Sequence, residues 1–222
     1  MPQKKARTKD RAVRTAEIEA AAKGVFFQKG FLTATVQEIA DRANVSKGTI
    51  YLYYKGKDDL CVSLMMPSLE ELGRLLEKFE KELDAGRYRN SGEFMMGFCA
   101  TLMRYYEYDP DGIRIYQGFQ LGNLFSVLSK ETLKLLNRTG KRNFAIARRL
   151  FSKASDLGFL PKLDAIKTVD AVWAMFLGVV QIEENKLRWT KKNHLADTLE
   201  YGLRVFLLGL EKQPKARAPK IA

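Results

Sequence analysis

Apolar residues recur every three or four positions along most of this chain, and that spacing restricts the fold more than any other feature. In an α-helix such positions stack on one face, so each segment must bury a stripe against a neighbour. Only 6 prolines interrupt 222 residues, and hydrophobic residues at 46% supply a sizeable core. An all-α protein follows, either one body or a small module joined to a larger one. Helices are predicted over about 11–29, 36–43, 47–53, 57–83, 93–108, 130–157, 164–187 and 194–210. Asp109-Pro110-Asp111-Gly112 reads as a helix stop, with shorter helical matter after it to about 128.

The segment from Thr35 onward is locally the most informative. Thr35 is placed to cap a helix, and Glu38 three residues later completes a capping box. Val36, Ile39, Ala40 and Ala43 form its apolar face. Asn44 tolerates the left-handed conformation that ends a helix sharply, and Ser46 is the next cap. Two short helices joined by three residues, with small Ala40 at their crossing, make a helix-turn-helix. Ile50 and Tyr54, four apart, form the buried side of the third helix. Earlier, Ile18, Ala21, Ala22, Val25 and Phe26 stripe the first helix, and Gly30 is placed to end it. Gly24 inside it costs about 1 kcal/mol against Ala, and nothing in the sequence explains it.

An α-helix fits the DNA major groove, and in a helix-turn-helix the start of the second helix meets the base edges. Lys47 can donate to guanine or phosphate, Gly48 permits close backbone approach, and the methyl of Thr49 suits thymine. Tyr51 and Tyr53 can reach phosphates with their hydroxyls, and Lys57 lies within plausible reach of the backbone. Each residue also has a plain alternative: a cap for Thr35, a solvated charge for Lys47, packing for the tyrosines.

The stretch from Phe31 to Leu60, FLTATVQEIADRANVSKGTIYLYYKGKDDL, resembles the N-terminal domain of the TetR family of repressors. The resemblance extends back through the first helix, over about residues 11–60. It implies DNA contacts at Thr35, Lys47, Gly48, Thr49, Tyr51, Tyr53 and Lys57, and a DNA-binding dimer released by a small-molecule effector. Leu52 stands where the family usually has an aromatic residue. Tyr54 replaces a common Phe, so its hydroxyl needs a partner if buried. Asn44 stands where Gly is frequent.

The implied organisation is a basic disordered arm over 1–10, a DNA-binding domain over 11–56, a ligand-binding and dimerisation domain over 57–211, and a basic disordered tail over 212–222. The net charge of +12 fits a polyanionic partner, but much of it sits at the ends. Lys4, Lys5, Arg7, Lys9, Arg11 and Arg14 face one acid, Asp10, in the first fourteen residues, and Lys212, Lys215, Arg217 and Lys220 close the chain.

Cys61 and Cys99 are 38 apart without a CxxC, and His194 is the only histidine. Structural zinc and thioredoxin-like chemistry are unsupported, and the cysteines read as small core residues in a reducing cytoplasm. No Glu-x-x-His pair suggests a di-iron bundle, so neither an enzyme nor a cofactor is expected. The basic N-terminus leads into no apolar signal core, and the longest apolar run, 171–180, is about half a membrane span, so a cytoplasmic protein without membrane attachment is expected.

In the larger domain, Val169, Val172, Trp173, Phe176 and Val180 fall on one stripe of the penultimate helix. Leu199, Leu203, Phe206, Leu207 and Leu210 do so on the last. Two such stripes from each of two subunits suggest a four-helix interface, the alternative being that both face their own core. Met103, Tyr106, Tyr116 and Phe119 are the candidate lining for an apolar or aromatic effector, plain core being the alternative.

Overall fold

The computed structural model describes residues 2–211, and all regular structure among the described residues is helical. Helix α1 (Pro2–Lys29) ends at Gly30, whose φ of +77° is the left-handed stop that its position suggested. It begins at Pro2 rather than near Arg11, so the helix takes in residues 2–10, where a separate basic arm was expected. Proline is tolerated in a first helical turn, and no glycine or second proline follows before Gly24. The basic tail expected over 212–222 lies outside the described residues.

After α1 come α2 (Val36–Arg42), α3 (Lys47–Tyr51), α4 (Lys57–Asp84), α5 (Ser91–Tyr108), α6 (Pro110–Leu121), α7 (Lys130–Asp156), α8 (Ala165–Thr190) and α9 (Leu195–Glu211), with a 3-10 turn at Leu124–Val127 before α7. Helix α6 was hidden because the residues that stop α5 also start α6. The Asp109 carboxylate accepts from the Gly112 amide at 3.1 Å and Pro110 opens the first turn. The same oxygen of Asp109 takes the Lys23 ammonium at 3.1 Å, tying α6 to α1.

The packing divides the chain into two compact units, and the division is not at residue 56. The first unit runs to Leu69 and includes Asp109–Arg138; the second holds Glu70–Tyr108 and the described chain from Thr139 to Glu211. In the first unit, Ile18, Ala22, Ile39, Ala40, Ile50, Leu60, Cys61 and Met65 are sealed from solvent, joined by Ile115 and Phe119 of α6. The start of α7 belongs here because Asp58 accepts from the Ser129 amide at 3.1 Å and Lys55 pairs with Glu131 at 2.8 Å. Helix α4 contributes to both units, and its interior Pro67, which removes one amide from the helix ladder, lies close to the division.

The second unit is built on an aromatic cluster and on ion pairs. Phe79, Phe94, Phe98 and Phe151 contact one another, Phe98 and Phe151 edge to face at 5.2 Å. Outside it, Glu77–Arg142, Glu80–Arg149 and Asp84–Lys153 pair α4 with α7 at 2.6–2.9 Å. Cys61 and Cys99 are buried and free, as expected.

The proposed dimer stripes face inward. Val169, Val172, Phe176 and Val180 of α8 and Leu199, Leu203, Leu207 and Leu210 of α9 are buried within a single chain, and Trp173 and Phe206 are half-buried. Burial within one chain supports the alternative reading for these eight residues, that the stripes pack against their own unit. Helix α8 is long and apolar enough, by length and composition, to cross a bilayer, yet only 28% of its apolar window is buried. Its other side carries exposed Ile182, and that of α9 carries Tyr201, Val205 and Leu208.

Candidate nucleic-acid interface

The candidate site is assembled from caps and a turn. Thr35, extended at φ −116°, caps α2: its hydroxyl accepts from the Glu38 amide at 3.2 Å, and the Glu38 carboxylate takes the Thr35 amide at 3.0 Å. Lys29 also pairs with Glu38. These bonds, that to Lys29 first, hold the Glu38 carboxyl below its ordinary pKa. Asn44 has a φ of +52°, which reverses the chain in the short link, and the Val45 amide bonds the Ala40 carbonyl at 3.0 Å. Ser46 caps α3 through the Thr49 amide at 3.0 Å. Below, Ile39, Ala40 and Ile50 are wholly buried, so the two short helices act as one rigid piece.

That piece presents Thr35, Lys47, Gly48 and Tyr51 to solvent, and Thr49 is half-exposed with its hydroxyl 2.9 Å from that of Ser46. Lys47, Gly48 and Thr49 form the first turn of α3, the part of a groove-reading helix that meets base edges. Tyr53 is half-buried and carries the Arg11 guanidinium 5.5 Å from its ring centre. Leu52 is 76% exposed beside Tyr51, so an apolar side chain occupies this surface position. Tyr54 is buried, and its hydroxyl has the partner it needs: it donates to Glu19 of α1 at 2.9 Å.

Lys57 differs from the rest. Its ammonium meets the carbonyl oxygens of Phe31, Leu32 and Ala34 at 2.7, 3.1 and 2.8 Å and lies 4.5 Å from the centre of the Phe31 ring. An ammonium has three protons, and three acceptors take them here, leaving none aimed at a phosphate. Burial lowers its pKa from the ordinary lysine value. Nothing in the sequence signals this, because the acceptors are backbone atoms 23–26 residues away.

Sequence reasoning also missed the purpose of Gly24. A β-carbon there would sit 2.5 Å from the Arg42 guanidinium carbon, so the glycine makes room for Arg42 of α2 against α1.

The candidate ligand residues do not come together. Tyr116 and Phe119 belong to the first unit, where Phe119 is core and packs edge-on against Phe31 at 4.7 Å. Met103 and Tyr106 belong to the second, and the Tyr106 hydroxyl donates to Glu184 at 2.8 Å. None of the four lines the apolar cavity of the second unit, which is walled by Leu72, Leu76, Phe98, Leu102, Asn143, Phe144, Ala147, Phe151, Val169, Val172 and Trp173. Helical spacing marked them as inward-facing without saying into which unit. The cavity measures about 30 Å³, the room of a water molecule or two. The buried indole N–H of Trp173 at its wall has no hydrogen-bond partner. Among the described residues no group of His, Cys, Asp and Glu could hold a metal ion.

Residues 18–64 match the family model described as bacterial regulatory proteins, tetR family. The chain is 38% identical over 63 residues to the fatty acid metabolism regulator protein of Bacillus subtilis, a match covering 28% of this chain and 31% of that protein. It thus spans about a third of that relative's length. The fold resembles the TetR family transcriptional regulator PfmR from Thermus thermophilus, with a TM-score of 0.68 at 20% identity over 88% of this chain and 99% of that one. It also resembles the transcriptional regulator FadR from Bacillus subtilis solved in complex with stearoyl-CoA, with a TM-score of 0.63 at 20% identity over 87% and 98% of the two chains.

Proposed function

We propose that this chain, whose residues 18–64 match the tetR-family model, is a cytoplasmic dimeric repressor of that family, released from a palindromic operator by an apolar or aromatic small molecule. One observation carries the DNA-reading part: Lys47, Gly48 and Thr49 form the first turn of a helix that is capped by Ser46 and anchored by wholly buried Ile50. Side chains held this way reach base edges without the ordering cost of a loop.

A single short reading helix covers few base pairs, so symmetric pairing of two copies supplies the second half-site. The outward sides of α8 and α9 suit that pairing. Ile182, Tyr201, Val205 and Leu208 are 50–72% exposed, and Ala171, Ala174 and Gly178 lie exposed along α8, where small side chains let helices approach closely. This apolar side of α8, covered by a second copy, accounts for a membrane-like composition in a water-soluble regulator.

The effector is assigned to the cavity of the second unit. Its walls are apolar apart from Asn143, and the Trp173 indole N–H offers a donor to a ligand oxygen. At about 30 Å³ it must widen to admit a ligand, so a ligand selects an expanded state. Leu72 and Leu76 carry that expansion to α4, whose first residues lie in the DNA-reading unit. A coenzyme A thioester of a long-chain fatty acid is the first probe, because a structural relative holds one.

The test is selection of bound duplexes from a random DNA pool, followed by titration of the complex with stearoyl-CoA and free stearate. An enriched palindrome bound more weakly by Lys47→Ala or Thr49→Ala is expected, each change costing about 1–3 kcal/mol on that duplex. A pool without enrichment would overturn the specific-repressor reading, and a complex indifferent to every apolar probe would overturn the effector part alone.

A further inference from the structure

The loop between α1 and α2 sets where the reading head begins. Thr35, the cap of α2, follows directly on Phe31, Leu32 and Ala34, and the carbonyls of those three residues converge on one atom, Nζ of Lys57. The loop contains no regular helical bonding of its own beyond the Ala34 amide to the Gly30 carbonyl at 3.2 Å. The side chains of Phe31 and Ala34 are buried and the Thr33 hydroxyl bonds the Lys29 carbonyl, but the loop's own carbonyls are gathered from outside, by the first residue of α4. The Phe31 ring lies 4.5 Å from the same ammonium and is fixed in turn by Phe119 at 4.7 Å and Phe26 at 5.8 Å. A cation over an aromatic face and three carbonyl acceptors form a closed socket around this lysine.

We propose that Lys57 is a positioning residue for DNA recognition rather than a phosphate contact: it clamps the α1–α2 loop to α4, and so fixes the attitude of Thr35 and of α2 and α3 on the duplex. To reach a phosphate, the ammonium would have to give up the Phe31, Leu32 and Ala34 carbonyls. The loop would then be free just where α2 is launched. The clamp also makes the start of α4 and the reading head one body, so displacement of α4 within this unit displaces α2 with it. Arginine is a poor substitute, since its planar fork cannot converge on three carbonyls as a tetrahedral ammonium does.

This inference rests on the DNA-binding reading, and the experiment separates the two. Full-length wild type, Lys57→Met and Lys57→Arg are titrated with the selected duplex and with random duplex over a salt series, and hydrogen exchange is followed at the amides of 31–36. A clamp predicts about tenfold weaker binding of the selected duplex by both variants. It also predicts a smaller loss on random duplex, an unchanged slope of log affinity against log salt, and faster exchange in the loop. A phosphate contact predicts similar losses on both duplexes and a slope reduced by about 0.9 for Lys57→Met, with Lys57→Arg close to wild type. That result would overturn the clamp, as would unchanged exchange in the loop. If Lys57→Met does not fold, Lys57→Arg with its retained charge still separates the two outcomes. A wild type that prefers no duplex refutes the DNA-reading premise, whereas the exchange measurement reports on the socket regardless.

Discussion

Replacing Tyr54 by Phe removes a single hydroxyl from the join between α1 and the α3–α4 link and leaves the ring packing in place. Tyr54 is 8% exposed and donates to Glu19 at 2.9 Å. A hydrogen bond to a charged group contributes about 1.5–3 kcal/mol. Glu19 is only half-buried, and afterwards it can turn to water and to the Ser63 hydroxyl, already 3.4 Å away. The low end therefore applies, and Tyr54→Phe is expected to lose about 1.5 kcal/mol at pH 7.

The pH dependence gives a second, sharper reading. Burial, and after it the bond to Glu19, raises the Tyr54 pKa well above its ordinary value, which is about 10. The folded state therefore holds the phenolic proton more tightly than the unfolded chain. A raised pKa contributes stability that is complete below the unfolded value and is lost as pH climbs toward the folded one. Above about pH 10 the loss is about 1.4 kcal/mol per pH unit. The phenylalanine variant has no such loss, so the gap between the proteins should close near about pH 11 and then reverse. Urea unfolding of both at intervals from pH 7 to 11.5 measures the gap, and all other titrations cancel in the difference. A gap that stays constant across this range, or no gap at pH 7, would refute the reasoning. Glu19→Gln in both backgrounds then isolates the pair.

Other perturbations test the remaining joins. Gly24→Ala should add about 1 kcal/mol in an Arg42→Ala background, as helix propensity dictates, and clearly less in wild type, where the methyl meets the guanidinium; equal gains in urea unfolding would remove Arg42 from the account. Asp109→Ala deletes the cap of α6 and the partner of Lys23 together, with an expected loss of about 1–2 kcal/mol, and a loss under 0.5 kcal/mol would show neither bond to matter. In the proposed dimer, Val205→Glu or Leu208→Glu, both on the outward side of α9, should halve the mass in sedimentation while helical circular dichroism persists, and a wild type already monomeric would refute the pairing. A variant that remains dimeric would move the interface elsewhere.

What could be read from residues alone was local. Thr35 with Glu38, Ser46 with Thr49, and the left-handed Asn44 are settled within three or four residues, and their chemistry is the same wherever the segment lies. Helix α6 escaped for a related reason: Asp109 and Pro110 terminate one helix and open another with the same chemistry, so a stop signal alone does not reveal the start. Apolar period revealed the inward side of each helix but not its partner. The stripes of α8 and α9 could equally have met a second copy or their own unit, and they are buried in their own unit.

The sequence by itself thus determined an all-helical chain with a capped helix-turn-helix and the side chains at the start of α3. Tertiary structure decided the rest, because the partners are remote. Lys57 acquired three carbonyls from a loop 23–26 residues away, which turned a free charge into a clamp. Gly24 acquired a guanidinium and Tyr54 a carboxylate. A charge or a hydroxyl states only what it can bond, and the fold determines which acceptor arrives within about 3 Å.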